Sequence, residues 1–357
     1  MRHLSRFFSF AALGLSLVFV GAGCFIKLDG SGTASSVADG GLYRSADGGE
    51  KWVQKNSLLS TGEKKSLNNV SVASFAQDPQ DADALYLGSA ENGIFYSLDG
   101  GESWAQPIQI VRGRIASIAV HPKQKCVVYA AIENKLIKTT DCARSWNVAY
   151  LDPRTDKRVT SVVLENAHPE VVWIGTSAGD VIRSVDNGTS WRNVKNVGGS
   201  VAQLVVNSAD NRKIFVATTK NGIFRTKDSG ANWEDLTKKY SHLAGTKDFF
   251  TMAVTPAAPA TLVFASRYGL LRSTDAGDSW SVVPLLTQPG TTVITSLVID
   301  PRNSSVMLYA TGGTYYLTRN GGDNWVPKSL PTTRAATLLM IDENDSSVVY
   351  MGTTKAK

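Results

Sequence analysis

The chain has 357 residues, with 37 basic against 31 acidic side chains and a formal net charge of +6. That excess is too modest for a nucleic-acid partner, and no nucleic-acid motif accompanies it. Aromatic residues at 9% and charged residues at 19% are ordinary for a globular chain. The four histidines are scattered and no His/Cys cluster has metal-ligand spacing, so neither a metal nor a cofactor is expected.

Residues 1–23 read as a targeting segment. Arg2, His3 and Arg6 make a positive start, and Phe7 to Val20 is an apolar run too short to span a bilayer comfortably. Gly21-Ala22-Gly23-Cys24 resembles the lipobox of bacterial lipoproteins. The resemblance implies cleavage before Cys24, lipidation of its thiol, a membrane anchor and an extracytoplasmic location in the cell envelope, whether periplasmic or at the outer membrane or cell surface. Gly21 departs from the larger aliphatic residue usual there, and the alternative is an ordinary cleaved secretory signal. Phe25 is not the Asp associated with inner-membrane retention in some enteric bacteria. Residues 24–39 then read as a lipidated cysteine and a Gly/Ser/Ala-rich tether.

From residue 40 to 357 the chain is an array. The pattern Ser/Thr-x-Asp-x-Gly-x-x-Trp first appears at Asp47 and Trp52. It returns at Asp99 and Trp104, Asp141 and Trp146, Asp186 and Trp191, Asp228 and Trp233, and Asp275 and Trp280, then with Asn320 in the acidic place before Trp325. The acidic position advances by 52, 42, 45, 42, 47 and 45 residues, a period that marks a repeat architecture. Each copy reads as a hairpin. The Asp and glycines accept positive φ and bond their own backbone, and the Trp starts the return strand and buries against a neighbour. Seven similar carboxylates around a ring cannot each be a catalytic acid, so these residues are assigned structural roles.

Ahead of every hairpin stands an apolar strand, a polar turn and a second strand with an aromatic in register: Tyr86, Tyr129, Trp173, Phe215, Phe264, Tyr309 and Tyr350. Four short strands per unit without a helical period predict an all-β, seven-bladed β-propeller. The chain opens with the last two strands of a unit (41–53) and closes with the first two of one (337–352). The two halves are expected to complete a single blade and close the ring without a free edge. With Cys24 committed to lipid, Cys126 and Cys142 lie on either side of a strand–turn–strand in which residue 126 falls opposite 141 or 142, which makes them a disulfide candidate.

The loops that join one blade to the next share one face, and the Asp-box turns share the other. The inter-blade loops are rich in cations, including Arg112, Arg114, Arg154, Arg158, Lys238 and Lys239, with Tyr240 beside the last pair. The ring is therefore expected to be a dipole whose basic face steers an acidic protein or an anionic glycan. A solvated surface without a partner is the bland alternative.

The repeated turn is similar to the Asp-box, or BNR, repeat. Families with that repeat include sialidases, xyloglucan-cleaving endoglucanases, sortilin-type receptors and the photosystem II stability and assembly factors, so the repeat specifies the fold far better than the activity. The sialidase motif Arg-Ile-Pro is absent; Ala38-Asp39-Gly40-Gly41-Leu42-Tyr43 stands in its place. Sialidases are typically six-bladed, and the xyloglucanase cleft lies between two rings, whereas this chain predicts one ring of seven. The acids in the inter-blade loops (Glu63, Asp152, Asp156, Glu234, Asp235 and Asp248) show no defensible catalytic pairing, and no catalytic residue is assigned. The assembly-factor family is closest in design. The resemblance implies a non-enzymatic scaffold that holds a membrane-protein partner during assembly. Together with the basic face it makes a monomeric protein-binding module the expectation, with a glycan-binding or glycoside-hydrolysing propeller as the alternative.

Overall fold

The computed structural model describes residues 39–60, 65–256 and 259–355, so the targeting segment, Cys24, most of the tether and Glu63 lie outside the described residues. The third blade shows the unit. It holds four antiparallel strands, Val159–Leu164, Val172–Thr176, Asp180–Ser184 and Arg192–Asn196, in sequence order from the axis outward. The inner strands pack around the ring, from Val72–Asp78 through Ile115–Val120, Val159–Leu164, Val201–Val206, Phe249–Val254 and Ser296–Ile299 to Ala336–Ile341, which returns to Val72–Asp78. Seven blades result.

The seventh blade is assembled from both ends of the propeller. Its sheet runs Ala336–Ile341, Val349–Thr353, Leu42–Ser45 and Val53–Gln54, and Leu42 pairs with Gly352. Strands from the start of the ring thus fill the outer half of the blade that the last strands begin.

Burial follows the alternation in the sequence. All seven second-strand aromatics are between 0% and 2% exposed. In five blades the position two residues after the aromatic is small because the next blade's inner strand begins against it; Phe264 and Tyr309 sit one position further along the strand, out of the expected register, and pack against the preceding blade. A Cβ on Gly175 would lie 2.4 Å from a Val201 methyl, and one on Gly352 would lie 2.6 Å from a Val72 methyl.

The Asp-box turns are built the same way in every blade. At the third, Ser184 donates to Asp186 Oδ1 at 2.7 Å, and Ser190 donates its N–H to Oδ1 at 2.8 Å and its hydroxyl to Oδ2 at 2.5 Å. At the sixth, Asn320 Oδ1 accepts from Thr318 Oγ1 and from the Asn324 N–H, which is why an amide substitutes for the carboxylate. The residue after the acid takes positive φ in all seven turns: Gly48, Gly100, Cys142, Asn187, Ser229, Ala276 and Gly321. Its N–H reaches back to the loop between the first and second strands of its own blade, for example Asn187 to the Glu170 carbonyl at 2.9 Å. In the second blade this repeated bond joins Cys142 N–H to the Cys126 carbonyl, and Cys126 and Cys142 are also joined there as a disulfide. The covalent link stands where every other blade has only the backbone bond.

Blades are latched to one another through these turns. Trp104, Trp191 and Trp325 donate their indole N–H to carbonyls at the outer edge of the preceding blade, at Lys55, Ala149 and Pro284, each at 2.8 Å. Cations on the third strands reach forward to the carbonyl after the acidic position of the next turn: Lys138 to Asn187, Arg225 to Ala276 and Arg272 to Gly321. Trp146 and Trp233 bond within their own turns, Trp52 lies 3.4 Å from the Tyr315 hydroxyl, and Trp280 packs edge-on to Phe264.

Two loops depart from the simple repeat. In the first blade the fourth strand is reduced to the bridge between Tyr96 and Ala105. The Trp104 backbone pairs instead with Ser57 and Leu59 of the hairpin Ser57–Leu58/Lys65–Ser66, an insertion after the seventh blade, and Pro107 stops any continuation. After the fourth blade, Thr237–Lys239 forms one turn of 3₁₀ helix, a short element that the strand pattern did not foretell.

Candidate functional site

Strand alternation places the Asp-box turns and the turns after the inner strands on one face, with the inter-blade loops and the turns after the second strands on the other. The acidic Asp-box face carries Asp78, Asp81, Asp83, Asp342, Glu343 and Asp345 beside the turn carboxylates. The inter-blade face holds all the sequence-derived binding candidates, and the structure sorts them into three kinds.

Tyr240 is a correction. It is fully buried, its hydroxyl accepts the Ile223 N–H at 3.0 Å, and its ring packs against Phe264 and Trp280. Burial pushes its hydroxyl up to about 12. An aromatic between two lysines and a histidine read as a surface contact, but the 3₁₀ turn rotates it into the core between the fourth and fifth blades.

Arg154 and Lys239 are engaged within the fold. Arg154 forks onto Asp152, with Nε to Oδ1 at 2.9 Å and Nη2 to Oδ2 at 2.7 Å, and also reaches Asp180 at 2.6 Å. That bidentate grip holds the Asp152 carboxyl below the usual range. Lys239 lies 3.0 Å from Glu234 and 3.4 Å from Asp278, joining the carboxylates that also hold the buried Arg225. The partnership between Arg154 and Asp180 left no mark in the sequence, because the two are 26 positions apart, one in the loop after the second blade and the other on the third strand of the next.

Arg112, Arg114, Arg158 and Lys238 are exposed, and none has a carboxylate within ion-pair distance among the described residues; Lys65 and Lys247 share that condition. They sit in the loops after the first, second, fourth and seventh blades. Cations without internal partners keep their field available to a ligand.

Four acids of the inter-blade loops are committed to cations. Arg154 lowers Asp152, Lys157 lowers Asp156, Arg225 lowers Glu234 and Lys220 lowers Asp248. A glycosidase acid needs the opposite shift. Two carboxyls are raised by burial. Glu165 accepts from the Trp173 indole inside the third blade. Glu343 stands at the axial channel, where Asp342 adds to the effect of burial, but Asp342 itself is occupied by the Asn344 and Asp345 N–H groups and by Gln77. The channel comprises two cavities of about 510 Å³ each, walled by the inner strands. Thr160, Thr295 and Thr337 turn their hydroxyls onto the backbone at Gly175, Ala310 and Val72, whereas the buried Ser296 hydroxyl in the same wall has no hydrogen-bond partner among the described residues. No group of His, Cys, Asp and Glu among the described residues could hold a metal, and no helix among them is long and apolar enough to cross a membrane.

With this geometry in view, residues 202–337 match the family described as "Photosynthesis system II assembly factor YCF48". The chain is an Asp-box propeller similar to that assembly factor. Solved structures agree on the fold. YCF48 from Cyanidioschyzon merolae superposes with a TM-score of 0.62 at 12% identity, covering 80% of this chain and 95% of that one. A structure described as YCF48 bound to D1 peptide gives 0.62 at 15% identity, covering 80% and 94%. The GH74 xyloglucanase from Xanthomonas campestris gives 0.65 at 16% identity over 80% of this chain, and the propeller chain spans about half of that enzyme's length. At these identities the likeness is one of fold. No curated protein matches in sequence.

Proposed function

We propose that the chain is a lipid-anchored, extracytoplasmic scaffold that binds an acidic segment of a protein partner on its inter-blade face and performs no chemistry of its own. The observation that carries this reading is the set of exposed cations without internal carboxylate partners, Arg112, Arg114, Arg158 and Lys238, on one face of a ring whose other face is acidic. In support, a propeller of the same fold, YCF48, has been solved with a peptide bound. The lowered carboxyls of the face also argue against a glycoside hydrolase.

The test is cross-linking and affinity capture from native membranes with the intact chain as bait, beside a variant carrying Arg112→Glu, Arg114→Glu, Arg158→Glu and Lys238→Glu. Arg154 is left unchanged because its reversal would strand Asp152 and Asp180. A protein captured by the wild type, released by added salt and lost in the variant is the expected result. Equal capture by both overturns the assignment of the face.

A further inference from the structure

The point where the chain joins the ring is fixed. The Asp39 carboxylate accepts from the Thr332 hydroxyl and the Thr333 N–H, each at 2.9 Å, and pairs with Arg334 at 2.9 Å. These three partners belong to the loop between the sixth and seventh blades, so the chain enters the propeller on the inter-blade face.

The neighbouring loop, between the fifth and sixth blades, is unlike the others. From Ser281 to Ile299 the sequence contains no charged residue. Leu286 is 60% exposed and Val293 61%, and Pro284, Pro289 and Gly290 are exposed with them. Tyr268 packs at the base beside Leu285 and Pro289, next to the exposed Arg267. Of the unpaired cations, Arg112, Arg114 and Arg158 lie across the ring, in the loops after the first and second blades, whereas Lys238 lies in the adjoining loop after the fourth blade, whose Asp248 pairs with Arg267 at 2.9 Å. One face therefore has an uncharged, apolar loop beside the chain's entry and, across the ring from it, a basic sector formed by Arg112, Arg114 and Arg158.

We propose that the loop 284–295 is a membrane-contacting rim, seated on a phospholipid surface beside the anchor and standing the ring on its fifth-to-seventh-blade side. This rests on the lipid-anchor reading of Cys24. From Cys24 to Asp39 the chain reaches no more than about 50 Å when fully extended, so an anchored ring stays at the bilayer. Two exposed aliphatic side chains would not hold a free protein there, but an anchor raises their effective concentration and a weak contact then suffices to orient the ring. A tyrosine and an arginine beside apolar residues suit the boundary between acyl chains and headgroups. The basic sector would then look along the membrane surface, where the extramembrane segments of membrane proteins emerge.

The experiment places an environment-sensitive fluorescent amino acid at position 286, 293 or 98. Leu98 is an exposed aliphatic residue, at 43%, in an Asp-box turn on the opposite face. The anchored protein is reconstituted in phosphatidylethanolamine/phosphatidylglycerol vesicles. Blue-shifted emission at 286 and 293, quenched by brominated acyl chains, with an aqueous spectrum at 98, is the expected result. Aqueous spectra at 286 and 293, or the same shift at all three positions, overturn the proposal. The anchor is scored separately by whether Cys24→Ser releases the protein from membranes in cells. If Cys24 carries no lipid, its thiol is coupled to a maleimide-headgroup lipid in the same vesicles, and the loop is still tested.

Discussion

Replacing Tyr240 by Phe separates packing from recognition at the position where sequence and structure part most sharply. The ring would keep its contacts with Phe264 and Trp280, whose centroids lie 5.1 and 5.6 Å away. What is lost is the hydroxyl that accepts the Ile223 N–H at 3.0 Å in a fully buried site. A buried donor without an acceptor costs about 1–3 kcal/mol. Tyr240→Ala would remove the packing as well and cost about 3–5 kcal/mol. Lys238→Glu, two residues away but exposed, should change stability by no more than about 0.5 kcal/mol. Urea denaturation followed by tryptophan fluorescence measures all three. Partner capture should run the other way, intact in Tyr240→Phe and reduced in Lys238→Glu. If Tyr240→Phe leaves the urea midpoint unchanged while abolishing capture, the assignment of Tyr240 to the core is refuted.

Asp186→Asn should fold at neutral pH, because Asn320 already serves the same turn through its amide oxygen. The Asp186 carboxyl is held down to about 2 by hydrogen bonds from the Ser190 side chain, the Ser190 backbone and Ser184. A folded value below the unfolded one means stability that is present above about pH 4 and is lost as pH falls through 2. The amide variant should therefore lose stability less steeply than the wild type across that interval in an acid titration followed by circular dichroism, and an identical slope would contradict the linkage. The disulfide between Cys126 and Cys142 closes a separation of 16 residues, which corresponds to about 3 kcal/mol in the chain-entropy account. A Cys126→Ser/Cys142→Ser variant should lose that much in urea while keeping its β spectrum; no change in midpoint would show that the backbone bond alone holds the turn.

Periodic features were legible in the sequence because the ring repeats them. The acid-to-Trp spacing, the second-strand aromatics and the half-blades at the two ends together specify seven blades and their closure. Departures from the repeat were not legible. The hairpin at Ser57–Ser66 captures the Trp104 backbone and thins the first blade, which depends on a contact between segments about 45 residues apart. The inter-blade face was legible as a list of cations but not as a surface. Whether an arginine is free or spent depends on which carboxylate folds beside it, and Asp180 reaching Arg154 has no local signature. Tyr240 was misjudged because its neighbours in sequence are polar, whereas its neighbours in space come from the next blade. The uncharged run Ser281–Ile299 was written plainly in the chain, yet it acquired meaning only once Asp39 had been located beside it.

The shared seventh blade sets an order of events for folding. Leu42 and Gly352 are paired in space but lie at opposite ends of the propeller's sequence, and until the latter is synthesised the strands at 42–45 and 53–54 have only each other. A lone two-stranded hairpin is marginal in water, and pairing across so long a separation is the slowest kind of contact to form. The first six blades can condense as they emerge, but the ring remains an open arc with unsatisfied edges until the strand Val349–Thr353 arrives. Loss of Val349–Thr353 alone should leave every Asp-box turn intact in sequence and still deny the molecule its closed state, since the N-terminal strands would have no sheet to join. Val349–Thr353 is in this sense the clasp of the ring, and the vulnerable interval in the protein's life is the time before it closes.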